Sequence, residues 1–190
     1  MVIIIIWRGE DKMSERIARL TKDFHYLEIA KTVSKRSTCI NKQFGAVIVQ
    51  HDRIVSTGYN GSPMKCINCS DIGRCRRLED PNYQRGITSY DMTCTAVHAE
   101  INAMLAVGRE QMLGATLYLY GWDFVNKKIV PNVNSCPGCR RAILNSGIVK
   151  LIVADTETGL VSNDPDIPYR VKIINVDDWR RDESALFSGY

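Results

Sequence analysis

His98-Ala99-Glu100-Ile101-Asn102-Ala103 and, 38 positions after the histidine, Cys136-Pro137-Gly138-Cys139 place an imidazole, a carboxylate and two thiols at the starts of two short helical patterns. These are metal-ligand types at metal-ligand spacing. His98, Cys136 and Cys139 give zinc three protein ligands and leave a fourth tetrahedral position for water, the mark of a catalytic rather than a closed structural site. At helix N-termini the dipole and the free N–H groups favour thiolate over thiol. Glu100 is too close in sequence to be a spare ligand and is placed to move protons for a water that zinc has made acidic. Taken singly each half is weak, since His-x-Glu is common and Cys-x-x-Cys is more often structural zinc or a redox pair. The force lies in the two together, each opening a helix and each preceding a strand.

Working outward, the pattern predicts a helix over residues 96 to 107, a strand over 115 to 120, a helix over 138 to 145 ending at Ser146-Gly147, and strands over 148 to 154 and 171 to 176. Upstream, residues 45 to 49 and 53 to 57 flank a polar turn at Gln50-His51-Asp52 and read as a β-hairpin. Ile17, Leu20, Phe24, Leu27 and Ala30, with Ile29 and Val33, repeat at helical spacing and predict a helix over 14 to 35 with Ser14 as N-cap. Residues 58 to 92 are rich in Gly, Pro, Cys, Asp and Arg without periodicity, and a loop that long inside a compact domain is expected to be functional, metal-stabilised or both. The order of elements points to an α/β fold, a mixed sheet with helices on its faces. Residues 1 to 12 read as an N-terminal extension and 13 to 190 as one domain.

The 190 residues are 45% hydrophobic and 24% charged, ordinary for a soluble globular chain. A formal charge of +4 suits phosphate-bearing ligands but falls short of a nucleic-acid binder. The longest apolar run, residues 2 to 7, is far below a membrane span, so a cytoplasmic protein without membrane or nucleic-acid partners is expected. Seven cysteines, an odd number, read as metal ligands plus a spare thiol rather than a disulfide framework. For a nucleotide phosphate, Arg36, Lys42 and the Lys127-Lys128 pair are the best-placed cations, with each lysine equally readable as a solvated surface charge. Asn41 is a candidate for the sugar and Trp122 for stacking on a base.

With Arg36-Ser37-Thr38-Cys39, residues 45 to 49, Thr57-Gly58-Tyr59-Asn60-Gly61-Ser62-Pro63 and His98-Ala99-Glu100, the chain resembles the dCMP deaminases, especially those of tailed bacteriophages, over about residues 24 to 155. The two motifs follow the zinc-deaminase signature H-x-E…P-C-x-x-C, with Ser135 where the signature has Pro. The resemblance implies a three-layer α/β/α cytidine deaminase-like fold with a mixed five-stranded sheet. It implies zinc-dependent hydrolysis of dCMP to dUMP and ammonia, supplying dTMP precursors in a host cytoplasm. It further implies a homohexamer activated by dCTP, with Mg, and inhibited by dTTP. Carried over residue by residue, it makes Glu100 catalytic and His98, Cys136 and Cys139 the zinc ligands; Ala99 joins Arg36, Asn41, Lys42 and Trp122 as a candidate substrate contact.

By the same resemblance Tyr59, Asn60, Gly61 and Arg109 are effector residues, and Cys39, Cys69 and Cys94 stand near the positions of a second, structural zinc, which Cys75 would close as a fourth thiolate, leaving Cys66 as the odd thiol. Each has a plainer reading: the Gly-Tyr-Asn-Gly segment as a tight turn, Arg109 as a helix-end charge, and the thiols as ordinary buried cysteines. Two departures bear on the substrate. Residues 121 to 134 are longer than the usual connection and are expected to form a hairpin over the site mouth. Glu157 stands where some phage members place a substrate-contacting tyrosine. A bifunctional dCMP/dCTP deaminase and a nucleotide-sensing zinc module without catalysis are the alternatives.

Overall fold

His51 and Asp52 both take left-handed backbone, with φ of 49° and 61°, the two-residue turn whose twist matches that of the strands it joins. They connect β1 (Lys42–Gln50) to β2 (Arg53–Tyr59), paired from Gly45 opposite Tyr59 to Gln50 opposite Arg53. The computed structural model describes residues 19–83 and 94–186. On the other side of β1 lies β3 (Thr116–Asp123), antiparallel; β5 (Lys150–Asp155) runs parallel to β3, and β7 (Arg170–Asn175) antiparallel to β5. These five strands match the expected mixed five-stranded sheet. Two-residue strands, β4 (Lys128–Ile129) beside β3 and β6 (Leu160–Val161) beside β7, bring the sheet to seven among the described residues.

Strand alternation sorts the core into two layers. Ala46, Ile48, Leu117, Leu119, Leu151 and Val153 pack on α4 (Ala99–Leu105) and α5 (Pro137–Ser146) through Ala99, Ala103 and Ile143. Their neighbours Val47, Val49, Tyr118, Tyr120, Ile152 and Ala154 face α1 (Lys22–Ser34) through Phe24, Leu27 and Ala30. The result is helix, sheet, helix. Two glycines set the spacing of the layers. A Cβ on Gly45 would run into the α1 backbone at Ala30 and Ser34, and one on Gly58 into the α4 backbone at Ala99 and Ala103. Each helix therefore lies directly on strand backbone.

Several boundaries differ from expectation. Residues 19–21 are not helical and Thr21 is the N-cap of α1, so the helix does not begin at 14; Ser14 and Ile17 lie outside the described residues. The reason is packing: Phe24, Leu27 and Ala30 are buried, whereas Leu20 stays 39% exposed and offers no buried face for a further turn. Within the stretch read as loop, one-turn helices form at α2 (Cys69–Ile72) and α3 (Arg76–Glu79); its residues 84–93 lie outside the described residues. The Asp71 carboxylate accepts from the Asn68 N–H at 3.1 Å and Gly73 ends the turn at φ 66°, local signals legible as Asn-x-x-Asp and Gly. Val176, read as the end of the fifth strand, instead opens α6 (Val176–Arg181), capped by Asn175 and burying Val176 and Trp179. The extension at residues 1–12 also lies outside the described residues. Among the described residues no helix is long and apolar enough to cross a membrane.

Candidate metal centre

The start of α4 is held from both sides before any ligand is considered. Val97 and Gly61 exchange N–H···O bonds of 2.8 and 3.2 Å, forming a bridge one residue ahead of His98. The Ser56 hydroxyl donates to the Ala103 carbonyl at 2.6 Å, and Asn102 Nδ2 to the Tyr59 carbonyl at 2.7 Å. His98 is then the N-cap, in extended backbone, and Glu100 lies in the first turn, 5% exposed. Cys136 is likewise the N-cap of α5, with Pro137 in the first helical position and the helix closed by Gly147 at φ 89°. The Cys139 N–H donates to Cys136 Sγ at 3.4 Å.

These two N-termini meet. His98 Nδ1 lies 3.3 Å from Cys136 Sγ and 3.4 Å from Cys139 Sγ. Among the described residues this is the only set of three His, Cys, Asp or Glu side chains whose ligand atoms all lie within 4.8 Å of one another. Bond lengths of about 2.3 Å to sulfur and about 2.0 Å to nitrogen at a tetrahedral ion separate such atoms by about 3.5 to 3.8 Å. The donor set therefore fits zinc in chemistry and in span. Hydrogen bonds from the Cys139 thiol and His98 hold the Cys136 thiol well below its usual value against the effect of burial, while the same bond and burial raise Cys139. Burial raises the Glu100 carboxyl; His98 and the residue's own backbone N–H oppose the shift, and the Cys136 charge adds to it.

The other sequence candidates lie on several elements. Arg36 is exposed just past the end of α1, and the Asn41 carbonyl accepts from the Phe124 N–H at 2.8 Å. Lys42 opens β1 opposite Asp123. Ala99 is buried in the first turn of α4. Trp122 is not brought to the cluster: by strand alternation it packs in the layer facing α1, on the opposite side of the sheet, where it lines a cleft of about 220 Å³ with Lys31, Lys35 and Tyr120. Residues 121 to 134 do form a hairpin, with Trp122 opposite Ile129, and the Lys127 ammonium lies 3.5 Å from the centre of the Phe124 ring.

In the Gly-Tyr-Asn-Gly segment the side chains divide. Asn60 is buried and committed to the fold: its Oδ1 accepts from Ser37 Oγ and the Phe44 N–H, both at 2.7 Å, and its Nδ2 donates to the Lys42 carbonyl at 2.9 Å. Tyr59 is 36% exposed, while Gly61 makes the bridge to Val97. Arg109 is exposed on a 3-10 turn, Arg109–Gln111, beside a shallow groove between α4 and α5. Cys39, Cys69, Cys75 and Cys94 share one neighbourhood, close enough that burial together with Cys75 and Cys94 raises both the Cys39 and the Cys69 thiols. They are looser than the histidine-cysteine set. Cys66 is exposed.

Sequence reasoning missed three supporting residues. Arg140 Nε donates to the Ser135 carbonyl at 2.7 Å, and Asn134 Oδ1 accepts from the Ser135 N–H at 2.8 Å, so the peptide before Cys136 is held at both ends. Asp155, fully buried, accepts from the backbone N–H groups of Asn132, Thr156 and Glu157 and from the Thr158 hydroxyl, tying the segment ahead of Cys136 to the end of β5. Glu157 in turn accepts from Asn132 Nδ2 at 3.2 Å. An arginine directly after Cys-x-x-Cys and an aspartate ending an apolar strand were the available signals.

Residues 20–155 match the family model described as the cytidine and deoxycytidylate deaminase zinc-binding region. The deoxycytidylate deaminase of Mycobacterium phage D29 is 35% identical over 133 residues, covering 68% of this chain and 91% of that one. That of Enterobacteria phage T4 is 32% identical, covering 68% and 76%. The Saccharomyces cerevisiae enzyme of the same name is 30% identical over 77% of this chain, which spans 42% of its length. The match contains both helix starts that bring His98, Glu100, Cys136 and Cys139 together, and the chain belongs to the cytidine and deoxycytidylate deaminase family.

Proposed function

We propose that the chain hydrolyses dCMP to dUMP and ammonia, with His98, Cys136 and Cys139 holding zinc and Glu100 carrying protons. The observation that carries this reading is a buried carboxyl in the first turn of the helix that His98 caps, where His98, Cys136 and Cys139 form a ligand set that fits zinc. Bound there, zinc supplies the Lewis acidity that makes water nucleophilic near neutral pH. Glu100 takes the proton of the attacking water, delivers a proton to the ring nitrogen, and assists departure of the exocyclic amine as ammonia. One carboxyl serves each transfer in turn. The first turn of α4 fixes its position, and burial keeps bulk water from competing for its proton.

The substrate rests on the three relatives described above, all of which carry the name deoxycytidylate deaminase. Arg36 and Lys42 are the proposed phosphate partners, with Asn41 toward the sugar and Ala99 at the floor. The finer reading includes activation by dCTP with Mg, inhibition by dTTP through Tyr59, Gly61 and Arg109, a homohexamer, and a second zinc on Cys39, Cys69, Cys75 and Cys94. Asn60 enters it as a residue that shapes the loop, since its hydrogen bonds are made within the fold. Glu100 argues against a purely sensing module, which needs no carboxyl there.

Ammonia release from a panel of cytosine nucleotides, repeated with dCTP-Mg and with dTTP, tests substrate and regulation together. Glu100→Gln is expected to abolish release and leave zinc content unchanged. Full activity in that variant refutes the mechanism, and preference for dCTP over dCMP refutes the substrate.

A further inference from the structure

Arg140 follows Cys136-Pro137-Gly138-Cys139 directly and is only 6% exposed. A guanidinium is seldom buried to that degree unless partners hold it. Its Nε donates to the Ser135 carbonyl at 2.7 Å, and its central carbon lies 5.6 Å from the centre of the Trp179 ring, within reach of a cation–π contact. Trp179 is buried and belongs to α6, packed in the same layer as α4 and α5. The segment is fastened at two more points: the Val176 N–H donates to the Val149 carbonyl at 3.1 Å, and Arg141 Nη1 to the Leu186 carbonyl at 3.0 Å. Residues 176–186 all lie past residue 155, where the match to the deaminase family model ends.

We propose that Arg140 is a positioning residue for the metal centre and that α6 braces it through Trp179. The Ser135 carbonyl belongs to the peptide whose nitrogen is that of Cys136, so a guanidinium bonded to that oxygen fixes the plane from which the Cys136 side chain projects. Asn134 Oδ1, accepting from the Ser135 N–H at 2.8 Å, holds the preceding peptide. Cys136 then caps α5 with its Sγ 3.3 Å from His98 Nδ1. Arginine suits this role because its Nε donates in the plane of the guanidinium while the flat face stays available to an aromatic ring; lysine offers a point charge with no such face. Groups that orient a ligand from behind govern how well an ion is held. The chain thus supplies, from residues outside the shared deaminase region, a brace for one thiol of the metal centre.

This role rests on the zinc reading of His98, Cys136 and Cys139, and metal binding by the full chain tests it without turnover. Competition for zinc against a chelating dye is expected to show about 10- to 100-fold weaker binding in Arg140→Met and a smaller loss in Arg140→Lys. Trp179→Leu is expected to weaken binding about tenfold, and the double variant no further than Arg140→Met alone, since the ring acts through the guanidinium. Val47→Ala, which opens a void in the layer facing α1, is the control for lost stability: its Tm falls while its zinc affinity holds. With cobalt in place of zinc, the visible bands of Arg140→Met are expected to shift as the ligand tetrahedron distorts. Zinc affinity within about twofold of the parent in Arg140→Met overturns the role of Arg140, and an additive double variant overturns the brace through Trp179. A loss in Val47→Ala equal to that in Arg140→Met also overturns it, because the effect is then one of stability alone. Where Arg140→Met does not fold, Arg140→Lys and Trp179→Leu are read by the same criteria. A parent chain that binds no zinc refutes the metal centre itself, whereas zinc held equally by every variant refutes only the brace.

Discussion

Gly58→Ala tests whether α4, which carries His98 and Glu100, depends on touching strand backbone. The added methyl would stand 2.9 Å from Ala103 Cα, and closer still to the Ala103 nitrogen and the Ala99 carbonyl oxygen. Carbon atoms in contact prefer about 3.5–4.0 Å, so α4 must retreat by about 1 Å. All three obstructing atoms are helix backbone, and no side-chain rotation relieves them. Overpacking of this kind costs about 1–3 kcal/mol, and a chain of this size loses roughly 2–4 °C of Tm per kcal/mol, which places the drop near 5 °C. The retreat also moves His98 and Glu100 relative to Cys136 and Cys139, and a displacement of about 1 Å at a reacting centre costs on the order of a hundredfold in rate. Thermal melts and ammonia release on zinc-loaded protein measure both. Gly108→Ala is the control, because its nearest obstructing atom, Gln111 Oε1, is 4.0 Å away. A Gly58→Ala variant that melts within about 1 °C of the parent and turns over at full rate refutes the reasoning.

Three other outcomes are expected. Burial alone would raise the Asp155 carboxyl, but hydrogen bonds from the Thr158 hydroxyl and the N–H groups of Glu157, Asn132 and Thr156 outweigh it and hold the group below the usual carboxylate range. Its contribution is therefore present above about pH 4 and lost as pH falls through the lower folded value, so Asp155→Asn should lower Tm at neutral pH and flatten its acid limb. Tyr118 and Tyr169 are raised first by burial and then by their bonds to Asp23 and Glu28, and Tyr120 is pushed up to about 12 by burial and the Glu28 charge. That stability is complete below about pH 10 and lost above it, and absorbance at 295 nm should show these phenols ionising together with unfolding rather than before it. Chelation should stop ammonia release and lower Tm, with zinc restoring both; a Tm indifferent to chelation would detach the metal from the fold.

The sheet and both helix starts were legible because the signals are local. Alternation in residues 45 to 49, a polar two-residue turn, and His98 and Cys136 at capping positions each state their geometry within a few residues. The boundary of α1 was not, because the heptad-like run from Ile17 continues past the point where the sheet stops offering a surface, and Leu20 is left exposed. Trp122 illustrates a different limit. Its place on the far face of the sheet follows from counting alternate residues along β3 from Leu117, but an aromatic residue beside a presumed site invites a stacking role. Asp155 and Arg140 escaped notice since their partners, Asn132 and Ser135, are loop backbone groups that no periodicity marks.

The meeting of two helix N-termini has a consequence for how the chain matures. Neither His98 nor the Cys136–Cys139 pair offers three ligands alone, and in the fold they are brought together from the starts of two different helices. During synthesis, metal capture must wait until the start of α5 has left the ribosome, when β1 to β4 have been made and β5 to β7 have not. The full ligand set thus becomes available only past the middle of the chain, and a chain halted before Cys136 emerges has little means of retaining an ion.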